Sequence, residues 1–360
     1  FSLSLVIVYY LIIDLLYLGL VVYGCRGIMN RWGIKKSLQL SILFGAIYYG
    51  LFFFINHYLL AGDFTAVGSK IWWLVPTIFL SLLFRLTHWI PFHTSLATLT
   101  DRSIRASQLS FLEATILALG AVMPLVAGLA LEYLGYSWLF LLAIIIYLLS
   151  WLPFSRLPQV EEKFSWSYGE TWRRLFSKKN KDSFLAYAGS GAESVVGSVV
   201  WPIFIWQLLS GNYWQVGAIS SIIIIVTIVL QIMVGYFLDR LPNRRRWLRY
   251  GTWLYSLGWI LKALINNALQ VFLFSTYHNL SRVFAKTPFD ALNYDIAADH
   301  GHYVDEYTVI REMAIAIGKA IMSILILVVI PLMPLRWVFI VAALASLLMS
   351  LLNTEEIYND

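Results

Sequence analysis

Twice in this chain an arginine stands inside a long apolar stretch, five residues short of a Pro-Phe pair: Arg85 before Pro91-Phe92 and Arg282 before Pro288-Phe289. Lys286 follows Arg282 by four residues, so the two cations share a helical face. After each Pro-Phe pair a glutamate opens the next apolar span, Glu113 in one case and Glu312 in the other. Asp14, Glu193 and Lys262 add charges inside other spans. A charge at the centre of a membrane helix costs about 2.5–3.5 kcal/mol even on the lower insertion scales, so each needs a partner or a task. An arginine or lysine there binds an anionic group or holds a nearby acid ionised. A carboxylate that alternates between a cation and a dry contact takes up and releases a proton. The plain alternative is structural, with Arg85–Glu113 and Arg282 or Lys286–Glu312 as fixed ion pairs that tie helices together.

Other residues carry weaker signals. Glu193 lies among small residues in "GSGAESVVGS", which lets helices approach closely. His88 and His93 suit proton shuttling or hydrogen-bonded packing. Lys319 shares a face with Glu312, and Trp89 or Trp259 offers a stacking surface. The histidines show no ligand-like spacing, so no metal site is expected, and Cys25 is the single cysteine.

The elements that must position these residues are membrane helices. Hydrophobic residues make up 60% of the 360 and charged residues 13%, too greasy a surface for one soluble core. The apolar residues gather in blocks of about twenty, the length that spans a bilayer as a helix. Eleven spans are expected, at about 1–24, 38–60, 71–98, 107–131, 137–154, 184–209, 214–238, 247–266, 268–292, 307–332 and 335–352. The fold class is therefore an all-α polytopic membrane protein. Lys and Arg crowd one set of alternate loops, from Arg26–Lys36 through Arg102 and Arg105 to Arg240–Arg249, which makes that set cytoplasmic. The basic balance then reflects topology and anionic headgroups, and nucleic acid is not an expected partner. Phe1 opens inside an apolar run, and the topology expects one further helix ahead of it.

The chain divides into an N-terminal bundle at 1–154, a basic linker at 155–183 and a C-terminal bundle at 184–360. Trp166, Trp172 and Phe176 among the linker's Lys and Arg residues suit an amphipathic helix on the inner leaflet or, equally, a solvated basic loop. The Arg–Pro-Phe and glutamate pattern recurs in both bundles. So does a basic cytoplasmic turn, "NRWGIKK" at 30–36 and "DRLPNRRR" at 239–246. Matched features in the same order and orientation indicate parallel repeats about an axis along the membrane normal.

On these motifs the chain resembles the major facilitator superfamily (MFS) over essentially its whole length. The family's signature loop between the second and third helices reads roughly G-x3-D-R-x-G-R-R. Here Gly235, Asp239 and Arg240 match it, Pro242 replaces a glycine, and the basic run opening at Arg244 is displaced by one. The first-half copy keeps Arg31, Gly33, Lys35 and Lys36 but has Asn30 at the acidic position. Arg85 resembles the buried fourth-helix arginine that many members associate with proton coupling, although Trp89 and Pro91 stand where glycines follow it. "GAVMPLVAG" from Gly120 to Gly128 resembles the family's antiporter motif, with Met123 in place of a glycine, a slight tilt towards export.

The resemblance implies two pseudo-symmetric six-helix bundles, eleven of the twelve helices being visible, that rock about a site near the midplane. It implies a secondary active transporter moving a small solute together with protons by alternating access, with the basic turns as cytoplasmic latches. The paired cations favour an anionic or zwitterionic solute, and the aromatic content leaves amphipathic drugs in play. A transport-inactive sensor or scaffold of the same fold is the alternative. No G-x4-G-K-[ST] loop is present and no catalytic cluster shares a depth, so neither an enzyme nor a cofactor is expected. A monomer in a bacterial cytoplasmic membrane completes the expectation.

Overall fold

The structure is a computed structural model, and it describes residues 3–60, 71–99, 105–158, 163–238, 244–299 and 304–352. Every regular element among them is helical. In chain order these are α1 (Leu3–Gly24), α2 (Asn30–Phe54), α3 (Leu74–Leu99), α4 (Arg105–Tyr133) and α5 (Tyr136–Ser155). A short α6 (Tyr168–Leu175) follows, then α7 (Lys181–Leu208), which has a π-helical turn at Val196–Val200. The rest are α8 (Tyr213–Leu238), α9 (Arg244–Ala263), α10 (Ala268–Asp299), α11 (Val304–Val329) and α12 (Trp337–Leu347). Each of the expected apolar spans has its helix, and α6 lies in the linker.

Local sequence explains the breaks. α1 continues through a π-helical turn at Cys25–Met29, and the axis then breaks at Gly33, where φ is 74° and ψ is 169°. That conformation belongs almost wholly to glycine, because a Cβ would strike the flanking carbonyls. Gly135 makes the same break between α4 and α5, with φ 80° and ψ 178°. In the linker, Ser167 caps α6 by accepting a hydrogen bond from the Glu170 backbone N–H at 3.2 Å. Serine followed three residues later by glutamate is the sequence mark of such a start.

Among the described residues, seven segments are long and apolar enough to cross a membrane, the first of them, Leu3–Leu59, comprising α1 and α2 together. α9 and α10 are long enough but too polar, since α9 opens on three arginines and α10 carries Arg282, Lys286 and Asp290. α5 buries none of its side chains, and α4 exposes Ile116, Leu119, Val122 and Val126. In water such a surface would aggregate; against lipid it is the expected outside of the protein.

Inside, small residues let the backbones close up. A Cβ on Gly318 of α11 would lie 1.9 Å from the Ala188 carbonyl oxygen of α7, and one on Gly191 2.2 Å from that of Ile315. On the other side of the molecule, a Cβ on Gly128 of α4 would lie 2.7 Å from the Tyr213 carbonyl of α8. Lipid chains are as apolar as leucine, so such close van der Waals packing, rather than hydrophobic expulsion, holds membrane helices together. α11 also lies along α1, and α4 along α8, so helices from before and after the linker form two long seams.

Candidate functional site

The centre of the first seam is charged. Asp14 on α1 is 3% exposed, and its Oδ1 accepts a hydrogen bond from Arg85 Nη1 on α3 at 2.6 Å. The guanidinium also lies over the ring of Tyr17, 4.5 Å from its centroid. Asp14 and Tyr17 are three residues apart on one helix, so α1 offers the arginine both an anion and a π-face. α11 brings more charge to the same place: Lys319 lies within electrostatic reach of Arg85, Asp14, Glu312 and Arg311. Glu312 accepts from Arg311 Nη1 at 2.8 Å.

These contacts bear on the structural alternative of fixed ion pairs. Arg85 is paired with Asp14, because α1 lies beside α3 and delivers its acid at the right depth. Glu312 takes its own neighbour Arg311 rather than Arg282 or Lys286, because α11 packs mainly on α7 and α1 rather than α10. Glu113 falls within α4, and its side chain is outside the described residues.

A second cluster sits among α7, α9 and α10. Glu193, 3% exposed, accepts a hydrogen bond from the Tyr255 hydroxyl at 2.8 Å. Lys286 Nζ donates to Ser190 Oγ at 2.7 Å and lies 5.2 Å from the Phe289 ring centroid. The Lys262 ammonium is enclosed by two indole faces, 4.1 Å from the Trp201 centroid and 4.5 Å from that of Trp259. His278 packs edge and face against Tyr255 and Trp259. Arg282 is exposed, unlike Arg85, and stands within electrostatic reach of Lys262, His278 and Lys286. The recurring arginine therefore has two settings: one withdrawn from solvent onto a carboxylate, the other solvent-exposed near Lys262 and Lys286.

Sequence reasoning placed Arg85, Asp14, Glu193 and Lys286 within spans and missed the groups that hold them. Tyr17, Tyr255, Ser190 and Trp201 read as ordinary apolar or small residues, and Trp259, read as a stacking surface, gave no sign that Lys262 is what it meets. The only available signal was Tyr17 falling three residues after Asp14. His88 accepts or donates at 3.1 Å to Ser41 and stacks between Phe84 and Phe92, the packing role. Among the described residues, no group of His, Cys, Asp and Glu is arranged to hold a metal ion.

The basic turns differ in what is described. Asn30 forms two hydrogen bonds with the backbone of Phe164 in the linker, Arg31 is exposed, and Lys35 is half-buried just past the Gly33 break. Of the second turn, Gly235 and Arg244 fall at the ends of α8 and α9 without described side chains, and Asp239 and Arg240 lie outside the described residues. The linker itself folds inward. Trp166 is buried, α6 buries Thr171 and Leu175, and Phe176 alone of the three linker aromatics is widely exposed.

No protein-family model matches the sequence, and no curated protein matches it. Solved structures do match the fold. A crystal structure of a POT family transporter in complex with 5-aminolevulinic acid superposes with a TM-score of 0.66 at 14% identity, over 97% of this chain and 86% of the other. A variant of the E. coli fucose:proton symporter FucP superposes with a TM-score of 0.58 at 10% identity, over 97% and 95% of the two chains. At such identities the likeness is one of fold.

Proposed function

We propose that this chain, which has the major facilitator fold, is a secondary active transporter that moves a small carboxylate-bearing solute together with protons by alternating access. The observation that carries this is the Arg85–Asp14 pair, nine-tenths or so withdrawn from solvent and set on the seam where α1 and α3 meet α11. A fixed structural pair would sit as well anywhere in the bundle. This one lies where helices from the two bundles must slide past each other if the fold rocks. An arginine shared between an acid and an incoming anion couples the two: the solute's carboxylate takes the guanidinium, and the released aspartate takes a proton. The second cluster adds Lys262, Arg282 and Lys286 against Glu193 and Asp290, a surplus of positive charge that suits an anionic or zwitterionic solute. That the neighbours are a transporter holding an amino acid and a sugar–proton symporter agrees with this class without fixing the solute.

The test is solute-triggered proton movement in liposomes carrying the full-length protein and a pH gradient, screened against amino acids, short peptides, organic acids and sugars. We expect one class of carboxylate-bearing solute to collapse the gradient. Asp14→Asn should abolish proton movement while leaving solute binding measurable, and Arg85→Ala should lose both. Folded protein that moves no protons with any solute would favour the sensor or scaffold role.

A further inference from the structure

The two bundles are joined at their basic, cytoplasmic end by more than the covalent linker. We propose that the linker segment Phe164–Trp166 is a detachable strap that holds the cytoplasmic side closed, with Asn30 and Glu306 as its two anchors. On one side, the Asn30 side-chain amide engages both backbone groups of Phe164. Its Nδ2 donates to the Phe164 carbonyl at 2.9 Å, and its Oδ1 accepts from the Phe164 N–H at 2.9 Å. On the other side, the next residue turns to α11, where the Ser165 N–H and Oγ–H both donate to Glu306 Oε1, at 2.8 and 2.7 Å. Consecutive residues thus bridge the α1–α2 turn of one bundle to the first turn of α11 in the other.

The flanking side chains seal this bridge. Phe164 and Trp166 point inward and are 2% and 4% exposed, as alternate residues of an extended segment do. Trp166 meets Tyr307 of α11 edge to face, and Arg174 of α6 covers its indole at 4.2 Å. Tyr168, opening α6, stacks on Tyr23 of α1 at 5.0 Å. The strap also accounts for the asparagine found where the family's turn has an acid. An aspartate has no N–H to give, so it would lose the bond to the Phe164 carbonyl and face that oxygen with a charge. Opening the cytoplasmic side requires these four hydrogen bonds to break, or the strap to leave with one anchor.

This inference rests on the alternating-access reading, but its test needs no solute. The single cysteine, Cys25, is 2% exposed in the same apolar core as Phe164 and Trp166, with Asp305 and Glu306 within electrostatic reach. It therefore serves as a native reporter of opening. Full-length protein in lipid nanodiscs would be treated with N-ethylmaleimide, and the rate of Cys25 modification followed by the mass of the peptide that carries it. We expect slow labelling of the unaltered protein, and acceleration on the order of tenfold in Asn30→Asp and in Glu306→Ala. Ser165→Ala, an exposed position that loses only its Oγ bond, should label a few-fold faster and remains informative if the other two fail to fold. Equal labelling rates in folded Ser165→Ala, Asn30→Asp and unaltered protein would overturn the strap. Faster labelling without any solute-driven proton flux would uphold the strap and count against transport instead.

Discussion

At the scale of single residues, the buried charges of this protein divide by what neutralises them. Arg85 has a carboxylate and an aromatic face; Lys262 has two aromatic faces and no hydrogen-bonded acid among its described contacts. A desolvated cation–π contact stabilises by about 2 kcal/mol, while withdrawing an ammonium from water costs several, so Lys262 is a net burden on the fold. Lys262→Met should therefore leave the thermal midpoint unchanged or raised in detergent, while solute-driven proton flux falls. A drop in the midpoint of several degrees would make Lys262 a structural prop. Asp14→Asn is expected to behave in the opposite sense. It leaves the Arg85 charge without its acid and should cost roughly 3 kcal/mol of stability, read as a lower midpoint in the same assay.

At the scale of elements, the helices are held by where their backbones can touch. α7 and α11 approach through Gly191 and Gly318, and each added methyl would meet a backbone oxygen that cannot swing aside. Gly318→Ala should destabilise the protein by about 1–3 kcal/mol, seen as earlier loss of the monodisperse peak on heating before gel filtration. Gly27, whose Cβ would meet nothing within 4 Å, is the control, and its alanine variant should behave as the unaltered protein. Equal losses at the two sites would count against close packing as the cause, since alanine favours a helix over glycine. The same logic covers Gly33, where the conformation and not the space forbids a side chain.

At the scale of the molecule, the two bundles are tied at both ends. Opposite the strap, the Tyr136 and Tyr213 hydroxyls share a hydrogen bond at 2.5 Å between the starts of α5 and α8. Nearby, the Leu125 N–H donates to Ser221 Oγ at 3.1 Å. A protein that rocks must release one tie while keeping the other. Tyr136→Phe should favour the state open at that end, shifting the balance by a few-fold for the one hydrogen bond lost. In nanodiscs, the shift would be read from distances between spin labels placed on α5 and α8. The direction must be opposite to that of Ser165→Ala; movement in the same direction in both variants would contradict a rocking motion.

Much of this was legible in the sequence by itself. Apolar blocks of bilayer length fixed the helices, and the repeated Arg–Pro-Phe pattern pointed to two bundles, because each depends only on local composition and spacing. Asp14, Glu193 and Arg85 stood out for the same reason: a charge inside an apolar run is costly wherever it lies. Which charges meet was not legible. Arg85 and Asp14 are 71 residues apart, and Asn30 and Phe164 are 134 apart, so their contacts depend on which helices become neighbours. The tertiary structure alone decided that α1 supplies an acid for Arg85. It also decided that Arg282 is exposed while Arg85 is withdrawn from solvent, and that a linker with the composition of a surface loop is drawn between the bundles. Helices in a bilayer are sorted by the fit of small residues and by the partners their buried polar groups can find, and both are properties of pairs of surfaces that no single stretch of chain contains.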